Sequence, residues 1–251
     1  MANFNDSKKQ EVLKMSIDVM AFSPHPDDAE MGCGGLLLKL KDKGYSTGIV
    51  DLTESELSTN GDIETRKKET EIASRLLMLD LRENLNLSDC NITNDYNSRL
   101  KVVEIVRKYR PKMTIIPFYK DRHPDHENAH KLLKDAIFVS GLEKLKTVFP
   151  FHRPKIVICY MLNYNFEPSF IVNISNYHKQ KMKACKAYRS QFYREDITDR
   201  STYINSRFFR DMITSRDKFY GLRIKTEHGE PFFIESDIKI EDPVEFFGYL
   251  F

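Results

Sequence analysis

No stretch of this 251-residue chain is apolar for long enough to cross a bilayer. The opening segment, Met1 to Met15, is rich in Asn, Asp, Lys and Gln and lacks the apolar run of a signal peptide. The chain therefore reads as cytoplasmic, with no membrane partner. Cysteine is sparse. Cys33, Cys90, Cys159 and Cys185 lie far apart with no CxxC pair, which excludes a disulfide framework and a cysteine-rich zinc site. Reduced thiols in a cytosolic protein are expected. Net charge is almost absent, because 39 basic residues balance 37 acidic ones to +2. That gives no reason to invoke nucleic acid or a membrane surface, although a pocket can still be locally basic. Internal repeats, linkers and low-complexity segments are also missing. One domain over residues 1–251 is expected, with 1–15 as a polar extension.

An apolar fraction of 41% is enough for a real core. The first half alternates. Ile17–Phe22 reads as a buried strand, Gly35–Lys43 as a helix stopping at Gly44, and Ser46–Leu52 as a second strand. Glu64–Leu79 reads as a helix with Ile72, Ala73, Leu76 and Leu77 on one face. A helix around Leu100–Val106 precedes Pro111, Met113–Pro117 is a strand, and Ala129–Ile137 has clean helical spacing. Further on, Lys155–Tyr160 and Phe170–Ile174 read as strands, and Asn176–Tyr188 and Arg207–Phe219 as helices. Gln191–Thr202 is a polar loop, and the tail from Gly221 is β-like. The rhythm predicts an α/β fold, a mainly parallel sheet with helices on both faces and a decorated C-terminal part. Ligands in such sheets bind beyond the carboxyl ends of the strands.

Two strands end in His/Asp clusters. Ile17–Phe22 leads into Ser23-Pro24-His25-Pro26-Asp27-Asp28-Ala29-Glu30. Met113–Pro117 leads into Asp121-Arg122-His123-Pro124-Asp125-His126. His25, Asp28 and His126 supply two imidazoles and a carboxylate, which leaves a fourth tetrahedral position for water, as in catalytic zinc sites. Zinc would lower the pKa of that water to about 7. Asp27, beside a ligand, suits a general base. His123 suits an oxyanion donor, with Asp125 accepting its other ring proton. Each segment alone is as readily a turn or a helix N-cap. Their occurrence at corresponding places in the fold favours a metal.

These residues carry a family resemblance. His25–Glu30 followed by Gly32-Cys33-Gly34-Gly35 resembles the signature of the LmbE/PIG-L-type N-deacetylases. Asp51-Leu52-Thr53, Ser58–Gly61 with Arg66, Lys120–His126, Ser190-Gln191-Phe192 and Arg216 with Tyr220-Gly221 resemble the bacillithiol-biosynthesis branch. The similarity runs from about Ile17 to about Phe233. It implies a Rossmann-like three-layer sandwich with zinc on His25, Asp28 and His126. Asp27 is implied as base, His123 as oxyanion-stabilising histidine, and Arg66 as an arginine that reaches the site. It also implies an amino-sugar substrate, in this branch N-acetylglucosaminyl malate, and a trimeric or hexameric homo-oligomer. The chain departs from the branch at Ser23-Pro24, at Cys90-Asn91, and at Phe208-Phe209, where a tyrosine is usual and Tyr203 is the nearest hydroxyl.

Two His and one Asp would also accept ferrous iron. A phosphoesterase would call for two metals and more carboxylates than this tidy set offers. A relict binding module is disfavoured by competent residue types at all five proposed positions. Gly32-x-Gly34-Gly35 lacks dinucleotide-loop spacing, and close helix–sheet packing explains it better. Arg66 and Arg122 are candidates for binding a substrate carboxylate.

Overall fold

The computed structural model describes residues 16–192 and 200–248. The expected N-terminal extension and part of the loop before Thr202 lie outside them. A seven-stranded sheet has the order β3-β2-β1-β4-β5-β7-β6. Its strands are β1 (Val19–Ser23), β2 (Thr47–Thr53), β3 (Leu81–Leu87), β4 (Met113–Pro117), β5 (Ile156–Tyr160), β6 (Phe170–Asn173) and β7 (Gly229–Phe233). The first five pair in parallel, and β7 inserts antiparallel between β5 and β6. The sheet is mainly parallel, as the alternating pattern implies.

Both faces are covered. On one side lie α1 (Asp28–Asp42), α2 (Ile63–Leu76), α5 (Ser175–Ala187) and α6 (Arg207–Arg223). On the other lie α3 (Tyr96–Tyr109) and α4 (Pro124–Ser140). A short α7 (Pro243–Gly248) follows. Successive strand residues feed opposite cores. Val19 and Ala21 enter the first cluster, while Met20 and Phe22 enter the second. A strand buried on both faces must be apolar throughout, which is why β1 and β2 read so plainly in sequence.

Edge strand β3 has no counterpart in the periodicity. Arg82, Glu83, Asn84 and Asn86 interrupt its leucines. Arg82 is there for a partner elsewhere, forking onto buried Asp51 at 2.7 and 2.8 Å and reaching Glu30 at 2.7 Å. Helix α1 also begins earlier than its apolar spacing suggests, at Asp28 inside the motif itself.

The glycines of α1 are explained by close packing. A Cβ at Gly32 would run into the Tyr160 ring. One at Gly35 would lie 2.8 Å from Ile174 and 2.9 Å from the Glu230 carboxylate. Glu230 uses that space to accept the Gly35 and Leu36 N–H groups at 2.8 and 2.7 Å. Arg216 donates to the Met31 carbonyl at 2.6 Å. The C-terminal part thus grips α1 just behind the turn that carries Asp27 and Asp28.

Candidate active site

Strand order reverses at β1, whose neighbours β2 and β4 lead to opposite halves of the sheet. Such a switch point opens a crevice beyond the strand ends. His25, Asp27 and Asp28 follow β1, and His123, Asp125 and His126 follow β4, so the two clusters meet there. Apart from Asp125, which lies behind His25, they line one cavity of about 230 Å³ together with Asp89, Arg66 and Arg122.

His25, Asp28 and His126 each bring a ligand atom to within 4.8 Å of the others. Asp28 Oδ2 is 3.1 Å from His25 Nδ1 and 3.3 Å from His126 Nε2. The far ring nitrogens are held by carboxylates. His25 Nε2 faces Asp89 at 3.2 Å and Asp125 at 3.3 Å, and His126 Nδ1 faces Asp121 at 2.9 Å. Protons on those far nitrogens leave the near lone pairs converging on one point, the tautomer pattern of metal-binding histidines. Burial disfavours charge on His126, yet Asp28 and Asp121 outweigh it and push its pKa up to about 9. Burial works against charge on His25 too, yet Asp125, Asp28 and Asp89 raise it well above its usual range. Burial would raise Asp28, but His126 and His25 hold it far below the usual carboxylate range. A pocket that draws positive charge this strongly suits a divalent cation.

Asp27 stands apart from this ligand set. Its φ of 126° is a region that L-residues rarely adopt, and Ser55 and Cys90, also at the cavity, have φ of 55° and 54°. Strain of this kind persists only where surroundings enforce it. Here the enforcing group is Arg66. It is 3% exposed and donates to Asp27 Oδ2 at 3.2 Å, the Pro26 carbonyl at 2.6 Å and the Ser55 hydroxyl at 3.2 Å. Asp27 Oδ1 has no hydrogen-bond partner among the described residues. Burial raises the Asp27 carboxyl to about 7 against the opposing pull of Arg66. A carboxyl poised there suits proton transfer near neutrality.

His123 N-caps α4. Its Nδ1 accepts the Asp125 backbone N–H at 3.2 Å. The expected hydrogen bond from the His123 ring to the Asp125 carboxylate is therefore not made, because Nδ1 already acts as an acceptor. The Asp125 carboxylate instead accepts from Cys90 N–H at 2.8 Å and Ile92 N–H at 3.3 Å and faces His25. With Nδ1 accepting, the His123 proton sits on Nε2. Burial, with His25 and His126 nearby, lowers its pKa and keeps the ring neutral.

Arg66 is thus bound through Nη1 and Nη2 into the Pro26-Asp27 turn, while its buried Nε has no partner among the described residues. Arg122 is differently placed. It lies over the Tyr203 ring at 4.3 Å, lines the cavity, and has no acidic partner among the described residues. Of the Phe208-Phe209 pair, Phe209 lines the cavity and Phe208 is exposed, so no hydroxyl stands at that position. The Tyr203 hydroxyl points to Met212 Sδ at 3.6 Å. His130 turns to the Pro117 carbonyl.

Sequence reasoning missed Asp89 and Asp121. Asp121 holds His126 and the His123 N–H, and it is itself fixed by Asn163 at 2.8 and 2.9 Å. A carboxylate five residues before a ligand histidine was the available signal. Asp89 carried none.

Comparison with known proteins agrees with this geometry. Residues 20–137, which contain both His/Asp clusters, match the family described as PIG-L, GlcNAc-PI de-N-acetylase. A conserved protein of Thermus thermophilus is 35% identical, with a TM-score of 0.82 over 90% of this chain and 98% of that one. The N,N'-diacetylchitobiose deacetylase of Pyrococcus horikoshii is 26% identical, with a TM-score of 0.75 over 89% and 85%. The diacetylchitobiose deacetylase of Thermococcus kodakarensis is 27% identical over 201 residues, 75% of this chain and 72% of that protein.

Proposed function

Since the chain belongs to the PIG-L family of deacetylases, we propose that it is a zinc-dependent hydrolase that removes acetate from an N-acetylglucosaminyl small molecule. The observation that carries this is the juxtaposition of the His25–Asp28–His126 donor set with Asp27, a buried carboxyl at the same cavity that Arg66 holds by one oxygen. The donor set fits zinc by its chemistry, and ferrous iron is the other metal it would take.

A metal held there would polarise the acetamide carbonyl as a Lewis acid and make the attacking water more acidic. The chain's own residues do the rest. Arg66 fixes one oxygen of Asp27, and the other takes a proton from the attacking water. The water oxygen bonds to the carbonyl carbon. His123 donates from Nε2 to the developing oxyanion. As the C–N bond breaks, Asp27 returns its proton to the amine nitrogen, and acetate and the free amino sugar leave.

For the aglycone we propose malate, which would place the enzyme in bacillithiol biosynthesis. Arg122 supports this as a cavity cation with no acidic partner among the described residues. The engagement of Arg66 favours a second reading, a general amino-sugar deacetylase that needs no acidic aglycone. The test is acetate release from N-acetylglucosaminyl malate and from N-acetylglucosamine by zinc-loaded protein. A preference for the malate conjugate that shrinks in Arg122→Lys supports the first reading, and equal rates support the second. Asp27→Ala should keep its metal by elemental analysis and lose activity by about 10²–10⁴-fold. Loss of metal in that variant would make Asp27 a ligand and refute its role as base.

A further inference from the structure

The cavity lining holds two kinds of side chain. Ser58, Thr59 and Thr202 offer hydroxyls suited to a sugar. Met31, Leu162, Ile204, Phe209, Met212 and Ile213 belong to one apolar cluster and present an apolar wall. That apolar wall does not stop at the cavity. A second groove of about 400 Å³ adjoins it and shares Leu162, Asn163, Met212 and Arg216. Beyond these it is lined by Phe208, Phe219 and Tyr220, with Asn165, Asp211 and Ser215 also among its lining residues.

The polar groups in the shared wall are already engaged. Arg216 donates to the Met31, Met161 and Leu162 carbonyls, and the Asn163 amide donates to Asp121. The wall therefore behaves as apolar. Helix α6 carries it outward, because Phe208, Met212, Ser215 and Phe219 recur at helical spacing along one face. Among the described residues Phe208 is 69% and Phe219 58% exposed, so both rings present apolar surface along this face. Met212, at the junction, is unbranched and adaptable.

Acetyl has a single methyl group to place against an apolar wall of six side chains. We propose that the wall and groove bind the N-acyl chain, and that the enzyme hydrolyses amino sugars carrying linear aliphatic acyl groups longer than acetyl. This rests on the hydrolase reading above. The reaction is unchanged: water adds to the amide carbon, the C–N bond breaks, and a longer carboxylate leaves with the free amine.

The test is kcat/KM, by amine release, for N-acetyl-, N-butanoyl- and N-hexanoyl-glucosamine in wild type, Phe208→Asp and Phe219→Asp. Both rings are exposed, so neither change empties the core. The wild-type hexanoyl value should equal or exceed the acetyl value, rising by up to roughly fourfold per methylene that the groove buries. The hexanoyl-to-acetyl ratio should fall in both variants. A wild-type hexanoyl value below the acetyl value, or a ratio unchanged in both variants, overturns the proposal while leaving the deacetylase reading intact. Failure on all three by a preparation that does release acetate from N-acetylglucosaminyl malate overturns the proposal alone, and failure on that conjugate as well refutes both.

Discussion

Replacing Arg66 with lysine separates two roles for this arginine. In the structure its guanidinium spans Asp27, Pro26 and Ser55 at 3.2, 2.6 and 3.2 Å. A lysine ammonium is a point donor and cannot keep that spread of contacts from one position. Loss of one hydrogen bond to a charged group costs about 1.5–3 kcal/mol. If that loss falls on the proton-transfer step, kcat drops by roughly ten- to 150-fold. The turn is also strained, with Asp27 at φ 126°, which stores about 1–3 kcal/mol that the arginine helps to hold. A loosened Asp27 should therefore lower kcat on every substrate by one factor and leave KM nearly unchanged. Metal content should also persist, because Arg66 touches none of His25, Asp28 or His126. The assay is steady-state kinetics on the malate conjugate and on neutral N-acetylglucosamine, with elemental analysis of the same preparation. A rise in KM confined to the malate conjugate, with kcat intact, would show Arg66 binding a substrate carboxylate and refute the positioning role.

Asp121→Asn removes the carboxylate behind His126. Zinc affinity should weaken by about 10–100-fold in chelator competition, and an unchanged affinity would exclude that support. Lys181 is fully buried between Asp217 at 2.7 Å and Glu230 at 2.9 Å. Lys181→Met leaves both acids without it and should cost about 3–5 kcal/mol in urea unfolding, whereas a loss under about 1 kcal/mol would show water or rearrangement compensating. Gly35→Ala forces a Cβ against Ile174 and the Glu230 carboxylate. It should lower stability by about 1–3 kcal/mol, and an unchanged Tm would mean that Glu230 does not need its seat on α1.

The sequence by itself determined four of the five parallel strands, β1, β2, β4 and β5, because strands buried on both faces must be largely apolar. It also pointed to His25, Asp28 and His126 as a candidate donor set, because His25 and Asp28, and the His123-to-His126 cluster, sit three residues apart at the ends of two such strands, and the structure brings these three side chains together. Local spacing is enough where neighbours in sequence are neighbours in space. It could not show β3, whose Arg82 faces Asp51 and Glu30 rather than continuing an apolar run. Nor could it show which groups orient the donors. Asp125 meets His25 across 100 residues, Arg66 meets Asp27 across 39, and Glu230 meets Gly35 across 195. Such contacts are set by sheet order and by the antiparallel return of β7, not by any periodicity along the chain. For that reason only the tertiary structure decided that Arg66 holds Asp27, that the Asp125 carboxylate faces His25 rather than His123, and that an apolar groove continues from the site along α6.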